Sequence, residues 1–200
     1  MIDQEQINKS IKSMELAMVN CLPTPSDKLF RIASVIDNVM LDKLKKYLAT
    51  IDSAKWQDFQ IGNLRKVINW DTDTVIEELH NVFDGVTELI GLQFSTGPVN
   101  FLGLQLWKDK NNYHMGYHID DPIIDIALQL YLFDAPADCG TIFKIDEQEY
   151  LIPFEHNTGY VYKHQASAGI PHTVKVTIPP DSDRYSLYAV WSRSEKIKEE

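Results

Sequence analysis

Residues able to bind a metal stand at two places in this chain. His118 and Asp120 lie in the run Gly116-Tyr117-His118-Ile119-Asp120-Asp121-Pro122, and His172 lies in Pro171-His172-Thr173-Val174-Lys175-Val176. Side chains on an extended strand alternate with period 2, so His118 and Asp120 are expected on one face. His172 opens an alternating run that shares its face with Val174 and Val176, and antiparallel pairing could carry that face across to the His118 strand. Two imidazoles and one carboxylate form a facial donor set that leaves coordination positions open and suits Fe(II). The triplet His-x-Asp alone is common, and a surface His beside a solvated Asp is its ordinary reading. Asp121 is the nearest rival carboxylate, but alternation turns it away from His118. His114, His156 and His164 are rivals for the third ligand. Their settings (the loop beside His118, a turn at Phe154-Glu155-His156-Asn157, and the start of a Gln-Ala-Ser-Ala-Gly run) predict solvent exposure for all three.

A second chemical feature follows at Arg184-Tyr185-Ser186-Leu187-Tyr188. Alternation groups Arg184, Ser186 and Tyr188 on one face and Tyr185, Leu187 and Ala189 on the other. An arginine turned into an apolar interior is costly unless it meets an anion. Its planar fork suits a carboxylate, and a neighbouring hydroxyl can add a hydrogen bond. The competing reading pairs Arg184 with an internal Asp or Glu, or lets it reach solvent beside Asp181 and Asp183. Gln105, Trp107, Tyr113, Tyr131 and Tyr188 are further pocket candidates, with core packing and satisfied hydroxyls as the alternative.

The elements that must position these groups fall into two regimes. Up to about residue 95 the pattern is mainly helical. Ile7, Ile11, Met14 and Met18 recur at helical spacing, and the prolines of Cys21-Leu22-Pro23-Thr24-Pro25-Ser26 close that helix. Leu29 to Ile36 reads as a strand. Asp37 or Asn38 can N-cap a helix carrying Val39, Met40, Leu44, Tyr47 and Leu48. A further helix is expected from Asp71 or Thr72, with Val75, Leu79, Val82, Phe83, Val86, Leu89 and Ile90 packed against a sheet. Beyond residue 95 the expected strands are 98–108, 115–120, 126–133, 141–145, 148–152, 158–163, 171–178 and 184–192. They are separated by turn-forming clusters such as Asp134-Ala135-Pro136-Ala137-Asp138 and Pro179-Pro180-Asp181-Ser182-Asp183. About eight short strands fit a jelly roll. The expected fold class is therefore mainly β with N-terminal helices (α+β). It forms a single domain over 1–200, with helical support in 1–95, a β core in 96–193 and a solvated tail in 194–200.

Composition narrows the partners. The 200 residues carry a formal charge of −10, which argues against a broad phosphate-binding surface, so nucleic acid is an unlikely partner. The hydrophobic and charged fractions, 44% and 24%, are those of a soluble globular chain. Cys21 and Cys139 are too few and too far apart for a disulfide framework or a paired zinc site. No leader-like start and no run of the ~18 apolar residues that a membrane span requires is present, so a cytoplasmic location (a host cytoplasm if the source is viral) is expected. Oligomeric state is not legible.

In residues 98–192 the chain resembles the Fe(II)- and 2-oxoglutarate-dependent oxygenases. His118-x-Asp120 resembles their proximal ligands, and His172 with Val174 and Val176 their distal ligand strand. Tyr131-Leu132-Phe133-Asp134 followed by Cys139-Gly140-Thr141-Ile142-Phe143 resembles the Y-L-N-D…G-G-x-x-F stretch of the prolyl-hydroxylase branch. Arg184-x-Ser186 resembles the R-x-S pair that holds the co-substrate's distal carboxylate. The resemblance implies a double-stranded β-helix of the jelly-roll type. It implies Fe(II) on His118, Asp120 and His172, with 2-oxoglutarate held by Arg184, Ser186 and Tyr131. The implied activity is hydroxylation of a small molecule or a protein side chain by dioxygen, with release of succinate and CO2. Phe133 and Cys139 depart from the prolyl-hydroxylase pattern and point away from peptidyl-proline. Val190 stands where the branch that repairs nucleic acids carries a second arginine, which points away from that substrate too. The rival classes are a catalytically silent jelly roll that binds a ligand or partner, and a metal enzyme of cupin type. The latter usually draws on a His-x-His pair that is absent here.

Overall fold

The computed structural model describes residues 2–59, 64–69, 74–95, 97–164 and 169–193. The expected tail 194–200 and the proposed helix start at Asp71 or Thr72 lie outside them. Among the described residues four α-helices precede or flank the sheets: α1 Gln4–Val19, α2 Asn38–Thr50, α3 Thr74–Gly85 and α4 Thr87–Phe94. The strands among the described residues are β1 Leu22–Pro23, β2 Leu29–Ala33, β3 Gln57–Asp58, β4 Arg65–Ile68, β5 Val99–Lys110, β6 His114–His118, β7 Ile126–Tyr131, β8 Thr141–Ile145, β9 Gln148–Ile152, β10 Thr158–Lys163, β11 His172–Lys175 and β12 Asp183–Arg193.

All strand pairings among the described residues are antiparallel. The larger sheet has the order β1-β2-β10-β7-β12-β5-β4-β3 and the smaller has β6-β11-β8-β9. The eight strands expected beyond residue 95 are all present. They form a jelly roll that the N-terminal part extends, since β2 pairs with β10 and β4 pairs with β5. Strand β4 was not expected from the sequence. Its four residues are too few to show alternation above the background of a helical region.

The helices arise as their caps and stripes dictate. Asp37 caps α2, its carboxylate accepting from the amides of Val39 and Met40 and also from Gln6 and Ser10. Burial alone would raise the Asp37 carboxyl, but these hydrogen bonds outweigh it and hold the group below its ordinary value. Met40, Leu41, Leu44 and Tyr47 form the buried stripe of α2, which leaves Val39 one position out of phase and exposed. The single helix expected over 75–90 is two, with the break at Gly85-Val86. A side chain at Gly85 would run into Ile11 of α1, so the helices meet there at close range.

The larger sheet divides its side chains by parity. One face presents Leu104, Leu106, Leu128, Leu130, Leu187, Ala189 and Trp191 to Ile7, Met14, Leu44, Leu79, Val82 and Phe83 of the helices, in one continuous apolar cluster. The other presents Tyr131, Tyr160 and Tyr162 to Phe143, Ile152 and Val174 of the smaller sheet. No described helix is long and apolar enough to cross a membrane.

Candidate metal centre and its cavity

Strand β11 pairs with β6 so that His172 lies directly opposite His118. The register then shifts before Val174, which pairs with Met115, so β6 carries one residue more than its partner at Gly116-Tyr117. Strict alternation would send Met115 and His118 to opposite faces. The bulge brings both to the cavity wall. Thr173 Oγ1 donates to the Met115 carbonyl at 2.5 Å and so ties the bulged strand to β11.

Asp120 reaches the same point by a different route from the one expected. Strand β6 ends at His118, so Asp120 stands in the loop beyond it and not on the pleat. Its Oδ1 lies 3.7 Å from His118 Nε2 and 3.6 Å from His172 Nε2. One donor atom from each of the three residues falls within 4.8 Å of the other two. Those separations exceed hydrogen-bond contact, so the three groups converge without satisfying one another.

Backbone carbonyls set the ring orientation. His118 Nδ1 lies 2.9 Å from Gly116 O, and His172 Nδ1 lies 3.3 Å from Ile170 O. A carbonyl can only accept, so each Nδ1 carries a hydrogen, and each ring turns its Nε2 to the shared point. Burial pushes the His172 pKa down, with His118 adding to the effect and Asp120 opposing it, which favours the neutral ligating form. Tyr188 donates its hydroxyl to Asp120 Oδ2 at 3.2 Å and leaves Oδ1 free for the centre. Burial, together with the Asp120 charge, holds the Tyr188 hydroxyl protonated, well above its ordinary range.

The donor set opens on a cavity of about 610 Å³. Its walls include Gln105, Trp107, Gln129, Thr141, Tyr160 and Tyr188, together with Arg65 from β4. Trp107 stacks on Tyr188 with centroids 4.5 Å apart. A buried polar network backs the opposite wall. Tyr160 donates to Gln129 Oε1 at 2.6 Å, Gln129 Nε2 donates to Ser186 Oγ at 3.2 Å, and Tyr131 donates to Thr141 Oγ1 at 2.9 Å. Gly159 allows this packing, because an added Cβ would land on the Gln129 carbonyl.

The remaining site candidates sort clearly. Gln105, Trp107 and Tyr188 line the cavity as expected of pocket residues, while Tyr131 and Ser186 lie one layer behind its surface. Tyr113 is buried against the Arg65 guanidinium, and its hydroxyl has no hydrogen-bond partner among the described residues. Arg184 does not line the cavity. Its Nε and Nη2 donate to Asp109 Oδ2 at 3.1 and 2.5 Å, and its Nη1 donates to the Cys139 carbonyl. The internal-carboxylate alternative for Arg184 is therefore what the fold displays. Asp121 sits on the cavity rim, but its Oδ1 accepts from the Ile123 amide and it is no part of the donor set. His114 and His156 are exposed as expected. His164 is not: it is buried just past the end of β10, its amide donating to the Asp125 carbonyl and its Nδ1 lying against the Ile124 carbonyl, while Nε2 has no partner among the described residues.

No protein-family model matches the sequence, and no curated protein matches it by sequence. The fold, in contrast, has many solved counterparts. A prolyl hydroxylase from Trichoplax adhaerens, in complex with a hypoxia inducible factor peptide fragment, superposes with a TM-score of 0.70 at 12% identity, covering 96% of this chain and 93% of that one. A 2OG-Fe(II) oxygenase family oxidoreductase from Burkholderia pseudomallei gives 0.66 at 11% identity, covering 96% and 92%. HygX from Streptomyces hygroscopicus, solved with nickel and 2-oxoglutarate bound, gives 0.62 at 8% identity, covering 97% and 88%. The chain thus has the jelly-roll fold of the 2-oxoglutarate/Fe(II) oxygenases.

Proposed function

We propose that this chain is an Fe(II)- and 2-oxoglutarate-dependent dioxygenase that hydroxylates a small molecule or a protein side chain and releases succinate and CO2. The observation that carries the reading is the convergence of His118 Nε2, Asp120 Oδ1 and His172 Nε2 on one point beside a cavity, in a fold whose solved counterparts are such oxygenases. The donor set fits the metal: two imidazoles whose Nδ1 hydrogens are directed to the Gly116 and Ile170 carbonyls, and one carboxylate with an oxygen to spare.

His118, Asp120 and His172 would hold the iron. When bound, iron with a 2-oxo acid and dioxygen supplies the oxidising power for decarboxylation and C–H hydroxylation. The chain's own contribution is positional. Tyr188 orients Asp120 through Oδ2. Trp107 and Tyr188, stacked, wall off one side from water, and Gln129, Thr141 and Tyr160 offer hydrogen-bonding groups on the other. The same cavity has room for a small-molecule or side-chain substrate beside the co-substrate, the size expected of such sites. The acidic charge disfavours nucleic acid as that substrate, and the reading places the enzyme in the cytoplasm.

Anaerobic addition of Fe(II) and 2-oxoglutarate is expected to produce the visible charge-transfer colour of a chelated complex, and admission of oxygen to release succinate. A colourless protein that retains no metal would overturn the reading. One observation favours the rival reading of a silent binding jelly roll: Asp109 already occupies the arginine expected to receive the co-substrate. The same colour test separates the two.

A further inference from the structure

Behind the cavity lies a cation cluster that its own carboxylate does not neutralise. Strands β4 and β12 flank β5, and both register Asp109 directly against an arginine, Arg65 on one side and Arg184 on the other. Arg65 donates Nε to Asp109 Oδ1 at 2.5 Å and Nη2 to Oδ2 at 2.9 Å. Two guanidinium groups and one carboxylate leave a single positive charge in a place where Arg65, Asp109 and Arg184 are 2%, 0% and 1% exposed. A buried charge of this kind is unfavourable until an anion joins it.

The geometry shows which arginine can take that anion. The Arg184 fork is used up on Asp109 and the Cys139 carbonyl. Arg65 keeps one end free: among the described residues nothing accepts from its Nη1. It is also the one cationic side chain among the described residues lining the cavity. Its faces are covered, with the guanidinium carbon 4.0 Å from the Trp107 ring centre and 4.2 Å from that of Tyr113. What remains is a hydrogen-bonding edge. The Tyr113 hydroxyl, on the ring packed against this guanidinium, is a buried donor with no acceptor among the described residues. Trp107 stacks onward to Tyr188, which holds Asp120, so a run of packed groups leads from the spare edge to the metal centre.

We propose that Arg65, carried by the N-terminal strand β4, receives the distal carboxylate of the dianionic 2-oxo acid, and that Arg184 and Asp109 are positioning residues that hold the Arg65 fork. The proposal rests on the oxygenase reading above. Arg184-x-Ser186, which resembles the family's carboxylate pair, then serves inside the wall: Arg184 fixes Asp109, and Ser186 accepts from Gln129.

The test is an anaerobic titration of Fe(II)-loaded protein, read by charge-transfer absorbance, with 2-oxoglutarate in one arm and 2-oxobutyrate, which lacks the distal carboxylate, in the other. Arg65→Gln is expected to weaken 2-oxoglutarate roughly 10- to 100-fold, the range for losing a charge-assisted pair, and to leave 2-oxobutyrate unchanged. Arg65→Lys is expected to fall between, and Arg184→Lys to stay within about threefold of wild type, the scale of an indirect effect. Wild-type affinity for 2-oxoglutarate in Arg65→Gln, or an equal loss for both acids, would overturn the proposal. If Arg65→Gln fails to fold, Arg65→Lys decides: an unchanged preference for 2-oxoglutarate over 2-oxobutyrate overturns it. A parallel thermal-shift series on metal-free protein uses glutarate as the probe. A wild-type protein that gives no colour overturns the oxygenase reading, whereas glutarate protection that is lost in Arg65→Lys still supports the carboxylate site.

Discussion

Strand β12 serves two different interiors at once. Tyr185, Leu187, Ala189 and Trp191 face the helices, where shape and apolar area do the stabilising. Arg184, Ser186 and Tyr188 face the other way, and each is tied to a named polar partner: Asp109, Gln129 and Asp120. The apolar side tolerates any residue of about the right volume. The polar side does not, because every buried donor or charge left without its partner carries the full cost of desolvation. Period 2 therefore separates a packing problem from a pairing problem along eleven residues of one strand.

Substitutions on the two sides should break this contrast in different ways. The largest effect is expected at the centre itself, where His172→Ala or Asp120→Ala should abolish metal-dependent succinate release while leaving the melting curve nearly in place. Loss of fold along with activity would show that the donors are structural. Next comes Asp109→Ala, which strands two buried guanidinium groups and should cost about 3–5 kcal/mol in a denaturant titration. On the apolar side Leu187→Ala should cost about 2–5 kcal/mol through its cavity, with metal retention intact. Tyr188→Phe keeps the stack on Trp107 but removes the hydrogen bond to Asp120. It should weaken metal binding roughly 10- to 100-fold with little change in stability. The smallest effect is expected far from both interiors, at the cap: Asp37→Ala should cost about 1 kcal/mol.

Acid sharpens the comparison further. Burial alone would raise the Asp109 carboxyl, but Arg65 and Arg184 outweigh it and hold the group below its ordinary value. A carboxyl depressed in the folded state contributes stability that is present above its unfolded pKa of about 3.9 and is lost as pH falls through the lower folded value. Wild-type stability should therefore decline on the acid limb, and Asp109→Asn should flatten that limb. An unchanged limb would place the acid-sensitive groups elsewhere.

Much of this is legible in the amino-acid sequence. The eight strands of the second half were marked by turn clusters, and His118 and His172 were marked by residue type and alternation. The N-cap at Asp37 followed from a short polar side chain standing before an apolar stripe. What escaped had a common cause: it depended on register between distant strands. Asp109 sits on the same parity as Gln105 and Trp107, so its inward direction could have been read, yet nothing local says that residues 65 and 184 lie on either side of it. Strand β4 was hidden by its brevity. Asp120 stands in the loop beyond β6, so period-2 alternation does not account for its approach to His118 and His172.

The direct pairing of His172 with His118, next to a bulge, has one more consequence. Shifting β11 by a single residue would turn its imidazole to the far side of the sheet, and flattening the bulge in β6, with its residues kept in regular alternation, would separate Met115 from His118 in the same way. A misthreaded molecule could retain most of its backbone pairing and much of its oily interior and still be unable to assemble the three donors. Tight uptake of a divalent ion would then act as a quality check on strand threading. It would report mistakes in chain assembly that circular dichroism or a melting curve would pass over.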